Sequence, residues 1–279
     1  METDRPVPPD GLRRPPAEQA LTAFLACLLS FLFLATLTAA ADPGLIGLSR
    51  SGDGIHPALP ADAANAPLAR PEPAPSGVGG YRLLELQDDG SGQPVRWDPC
   101  RPIHYVVRPD GAPPGAEQAL ASSVARIEQV TGLRFSYDGT TQETPHRDRP
   151  TVDLARYGSR WSPVLVAWTD PAEYPAMSGY AGLGGPDTVA GRNPGHRRFV
   201  SGVVLLNRRH LLEVTRWKDG QAQLNAVVLH EFGHLIGMDH VPDPTQLMFR
   251  QPTAHPYGFA DGDRRGLAML AGGPCFRDF

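Results

Sequence analysis

The chain has 279 residues, a formal net charge of −4 and a pI near 6.1. Of its 30 prolines, 12 fall in residues 1–75, in two polar stretches on either side of an apolar run, which argues against one compact domain throughout. No basic block or aromatic-interleaved basic stripe occurs, so nucleic acid is a poor match as a partner.

Residues 1–18 are polar and proline-rich and read as a disordered leader. From Gln19 to Ala41 no side chain is charged. At about 1.5 Å per residue this run reaches roughly 34 Å, enough to cross a hydrocarbon core of about 30 Å. Arg5, Arg13 and Arg14 precede it, which favours a cytoplasmic N-terminus. A signal anchor fits the length of the run, and a cleaved signal peptide fits Ala39-Ala40-Ala41. Either reading makes the membrane a partner of the N-terminal segment and puts the remainder outside the cytoplasm, as a single-pass membrane protein or a secreted one. Residues 42–80 have the composition of an extended linker. Residues 81–279 carry ordinary hydrophobic patterning and are expected to hold the folded domain.

Cys27 lies in the apolar run, which leaves Cys100 and Cys275 bracketing the downstream region. In an oxidising compartment the two are a plausible disulfide. Closing so long a loop is worth about 4–5 kcal/mol in the chain-entropy model.

Within the domain, Ile103–Val107 reads as a strand. Pro113-Pro114-Gly115 opens a helix with Leu120, Val124, Ile127 and Val130 on one face, and Thr131-Gly132 closes it. Leu133–Tyr137 is a strand candidate, Val164–Trp168 a buried strand, and Val200–Leu206 another strand. The stretch from Gly179 to Gly195 reads as irregular; GYAGLGG lacks the Lys-Ser/Thr ending of a phosphate loop. Helices are expected from about Gln221 and over roughly Asp261–Leu270. This order predicts an α/β (α+β) domain, a mixed twisted sheet with helices packed on it.

The chemistry concentrates in VVLHEFGHLIGMDH, residues 227–240. His230 and His234 are spaced to lie on one helical face, where two imidazole nitrogens can reach one ion at about 2.0–2.1 Å. Glu231 points beside the metal and is placed to act as a general base. Gly237 can adopt positive φ, end the helix and turn the chain, so that His240 returns as a third ligand. Three neutral nitrogens with one open position are the arrangement of catalytic zinc, which lowers the pKa of water toward about 7. His196 and His210 are isolated and read as surface residues.

HEFGHLIGMDH resembles the metzincin zinc proteases, whose signature is HExxHxxGxxH followed by a Met-turn. Met248, in the VPDPTQLMF segment after His240, is most similar to the matrixin branch. The resemblance implies that Met248 floors the zinc site without ligating it and that FADGDRRGLAMLAG forms the final helix behind it. It also implies that the region near Tyr180–Leu183 offers backbone groups to an extended peptide, and that Tyr257 and His255 are candidates for a pocket wall. Three departures are visible. Val241 stands where a small polar residue is usual, Arg250 removes a tyrosine fifth ligand, and the PRCGxPD-type masking segment is missing. The expected function is zinc-dependent endopeptidase activity on extracytoplasmic polypeptides. The reading from another class is a non-catalytic binding module on the same scaffold, which the presence of Glu231 disfavours.

Overall fold

A computed structural model describes residues 57–77, 79–191, 196–250 and 256–276. Its centre is a five-stranded sheet in the order β3-β2-β4-β6-β5. The strands are β2 (Ile103–Arg108), β3 (Phe135–Thr140), β4 (Val164–Thr169), β5 (Gly182–Ala190) and β6 (Arg197–Asn207). β2, β3, β4 and β6 run parallel, while β5 is antiparallel to β6 and forms one edge. The sheet is therefore mixed, as the element order predicted. A second, two-stranded ladder joins β1 (Arg82–Leu83) to β7 (Met238–Asp239).

β4 explains the layering. All six of its residues are buried, and alternate side chains serve opposite faces. Val164, Val166 and Trp168 join the core that includes Leu120, Ile127, Leu224, Val228 and Phe232. Leu165 and Ala167 pack on the other face with Val106, Val203, Leu205, Tyr174 and Met177. The first face is covered by α1 (Ala116–Thr131) and α4 (Gly220–Ile236); α5 (Asp261–Ala271) adds Leu267 and Leu270 to the same core. Two short helices, α2 (Leu154–Tyr157) and α3 (Arg208–Val214), lie in the connections.

The strand and helix readings match the observed elements to within a few residues, with one clear exception. The glycine-rich stretch from Gly179 is not irregular throughout, because Gly182–Ala190 pairs with β6 along its whole length. Glycine has little intrinsic strand preference, so the pairing is imposed by β6 and by packing.

Residues 57–77 have little regular structure, yet they are bonded to the domain. Ala64 N–H donates to the Cys100 carbonyl at 2.8 Å and Leu68 N–H to that of Pro99 at 2.9 Å. Glu72 pairs with Arg126 of α1 at 3.1 Å and with Arg264 of α5 at 3.0 Å. Asp62 reaches His104 of β2 at 2.8 Å. Over these residues the segment is a strap tied to two helices, where composition alone suggests a free spacer. Cys100 and Cys275 are joined by a disulfide. The apolar run Gln19–Ala41 lies outside the described residues, and among the described residues no helix is long and apolar enough to cross a membrane.

Candidate metal and catalytic site

α4 carries the first half of the site. Its buried residues Leu224, Val228, Phe232 and Leu235 anchor one side against the sheet, which turns His230 and His234 the other way. The helix stops at Gly237, whose φ of 120° is a region that side chains with a Cβ rarely adopt. A Cβ there would also sit 2.8 Å from the Phe199 ring. Beyond Gly237 the chain is held by β1: Leu84 N–H donates to the Gly237 carbonyl at 2.8 Å, and Arg82 pairs with Asp239 at 3.2 Å. His240 follows directly.

The three Nε2 atoms converge. His230 and His234 lie 3.1 Å apart, and each is 3.2 Å from His240. The Nδ1 atoms of His230 and His234 face backbone carbonyls, those of Leu247 at 2.7 Å and Met238 at 2.8 Å. A carbonyl only accepts, so both Nδ1 atoms carry the proton. Burial, and then the charge of His240, pushes the His230 pKa down to about 4; burial together with both neighbours holds His234 well below the usual imidazole range. Neutral rings protonated at Nδ1 leave bare lone pairs at Nε2, and two such lone pairs 3.1 Å apart repel. A cation between them removes that repulsion. The edge of a tetrahedron with metal–nitrogen bonds of 2.0–2.1 Å is about 3.3–3.4 Å, close to the spacing found. The residues present therefore fit zinc.

Glu231 is buried at 6% exposure. Burial pushes its pKa up to about 8, opposed by a hydrogen bond from the Gly184 amide on β5. A cation beside it would favour the ionised form. Met248 is fully buried beneath α4, and a Cβ on Gly233 would lie 2.5 Å from its sulfur. Val241 is also buried, and its N–H donates to the Met248 carbonyl at 3.0 Å, closing the loop between the third histidine and the methionine. An apolar residue at 241 thus joins the core.

Asp263 was not singled out by the sequence reading. Fully buried on α5, it accepts from the amides of Leu247 at 2.7 Å, Met248 at 3.3 Å and Ala260 at 3.0 Å. The peptide between Leu247 and Met248 thus links the Asp263 carboxylate at its N–H to His230 Nδ1 at its C=O. The sequence offered one signal, an acid in the first turn of the last helix. His196 and His210 are exposed and stand apart from the triad. Tyr257 donates to Asp219 at the start of α4, and His255 lies outside the described residues.

Residues 172–271 match the family model of the matrixins. The match takes in β5, β6, the whole of α4, the three histidines, Met248 and α5. The matrixins are zinc metalloproteases, and this chain carries a matrixin-like metzincin catalytic domain.

Proposed function

We propose that the chain is a zinc-dependent endopeptidase acting on extended polypeptides outside the cytoplasm. The observation that carries this reading is a buried carboxylate, Glu231, one residue from a ligand in a triad of converging neutral imidazoles. A module that merely bound its partner would need no base there.

In this reading His230, His234 and His240 hold the metal. When bound, zinc supplies Lewis acidity toward a carbonyl oxygen and toward water. Glu231 takes the proton of the attacking water on its carboxylate and delivers it to the nitrogen of the leaving amine. Met248 and Asp263 hold the loop that orients His230. The outer edge of β5, beside Glu231, offers backbone groups to an extended peptide by strand addition. The setting outside the cytoplasm is supported by the Cys100–Cys275 disulfide, a bond that persists under oxidising conditions, and by the apolar run Gln19–Ala41.

Digestion of a diverse peptide library by the zinc-loaded protein, read by mass spectrometry, tests the proposal. Internal cleavage is expected, with Glu231→Gln slowing it by roughly 10²–10⁴-fold while zinc content is unchanged. Absence of any cleavage would reject the endopeptidase reading, and equal rates for the two proteins would reject the role of Glu231.

A further inference from the structure

β5 meets α4 at two glycines. Gly182 and Gly184 are two residues apart in a strand, so their missing side chains belong to the same face. A Cβ on Gly182 would lie 2.6 Å from Cγ of Glu231 and 2.7 Å from its Cδ and Oε1. A Cβ on Gly184 would lie 2.1 Å from the Glu231 carbonyl oxygen. Neither glycine has positive φ, so neither is required by its backbone conformation. Glycine weakens a strand interior and often marks a close approach by another group.

The two positions differ in what they approach. At Gly184 the neighbour is the α4 backbone, which cannot move without parting helix from sheet. At Gly182 the neighbours are Cγ, Cδ and Oε1 of a flexible side chain. A methyl there is accommodated by swinging that side chain aside from Cγ outward, carrying the carboxylate with it and leaving the helix backbone in place. That carboxylate is the group whose position matters to the chemistry.

We propose that Gly182 is a positioning residue for Glu231: the space left by its missing Cβ holds the carboxylate in its working orientation. Gly184 lets the strand come that close. The inference rests on the endopeptidase reading for its catalytic consequence and on geometry alone for the carboxylate's position. A displacement of about 1 Å at a reacting group can lower turnover on the order of 10²-fold.

The test is Gly182→Ala in the zinc-loaded protein, with Gly272→Ala as control, because a Cβ at Gly272 meets nothing within 4 Å. Gly182→Ala should melt near the wild-type temperature and keep its zinc. Its kcat should fall about 10–100-fold with KM little changed, while Gly272→Ala matches wild type. Glu231→Asp withdraws the carboxylate by one methylene, so Gly182→Ala should cost less than about threefold in that background. Unchanged kcat, or the same loss in both backgrounds, would overturn the proposal. A crystal structure of zinc-loaded Gly182→Ala decides it separately from activity. The Glu231 carboxylate should be displaced, and finding it in place would overturn the proposal even if the wild type cleaved no peptide.

Discussion

At the end of β4, Asp170 accepts from Arg208 at 2.9 and 3.0 Å, from Arg209 at 3.0 Å and from the amides of Ala172 at 2.8 Å and Glu173 at 3.2 Å. At the end of α4, three imidazoles turn lone pairs toward one another at 3.1–3.2 Å. Both clusters are dense and polar, but the first is complete in the chain's own atoms and each charge has its counter-charge. In the second, the backbone satisfies the donors of His230 and His234 and leaves the acceptors facing each other. The comparison separates polar groups that hold the fold from polar groups whose arrangement fits a cation. Burial alone does not separate them, since Asp170 and His234 are both nearly inaccessible.

The largest effect should come from zinc. Zinc at about a hundred times its dissociation constant stabilises a protein that binds it only when folded by about 2.7 kcal/mol. The melting temperature should therefore rise with zinc and fall with a chelator. His240→Ala should abolish that response, whereas Asp170→Asn should leave it intact. Calorimetry with and without zinc measures both. An unchanged zinc response in His240→Ala would remove that residue from the ligand set.

Asp263 lies between the two clusters in character, a buried carboxylate completed by backbone amides. Burial raises its pKa, and the amides of Ala260, Leu247 and Met248 pull it back. Asp263→Ala strands the buried amides of Leu247 and Met248 and the half-buried one of Ala260, and each unsatisfied buried donor costs about 1–3 kcal/mol before relaxation. A net loss on the order of 2–3 kcal/mol should appear as a lower urea midpoint. Asp263→Asn keeps one accepting oxygen and should lose less. A midpoint within experimental error of wild type in Asp263→Ala would mean that the Met248 loop does not depend on this carboxylate.

What could be read in advance divides along similar lines. His230, Glu231 and His234 fall on one helix, where geometry converts spacing into direction; Gly237 and His240 were read from the turn that ends it, and Met248 from the resemblance to the matrixin branch. β4 and the hydrophobic face of α1 were legible because period and burial leave a local trace. β5 was not: its pairing depends on β6 and its glycines on Glu231, contacts absent from a local window. The strap was missed for the same reason. A run rich in proline and alanine has the composition of a spacer, and only Glu72 between two arginines, or Asp62 against His104, shows that it is tied down. Asp263 acts across the fold on backbone amides, which leave no mark in sequence.

The smallest expected effect tests the complete cluster. Burial would raise the Asp170 pKa, but hydrogen bonds from Arg208 and from the amides of Glu173 and Ala172 outweigh it and hold the value at about 2, below the ordinary aspartate value of 3.8. The folded state thus binds its proton less readily than the unfolded chain. Stability from this group is fully present above about pH 4 and is lost as pH falls through about 2. Asp170→Asn carries no titrating group, so it should be less stable than wild type at pH 5 and should lose less stability between pH 4 and pH 2. Urea midpoints at pH 5, 4, 3 and 2 measure the slope. The histidines of the triad, with lowered pKa values, also take up protons in this range, but they do so in both proteins alike, so measured without zinc the difference between the two slopes isolates Asp170. Parallel slopes for the two proteins would mean that Arg208 and Arg209 merely neighbour Asp170 without holding its charge.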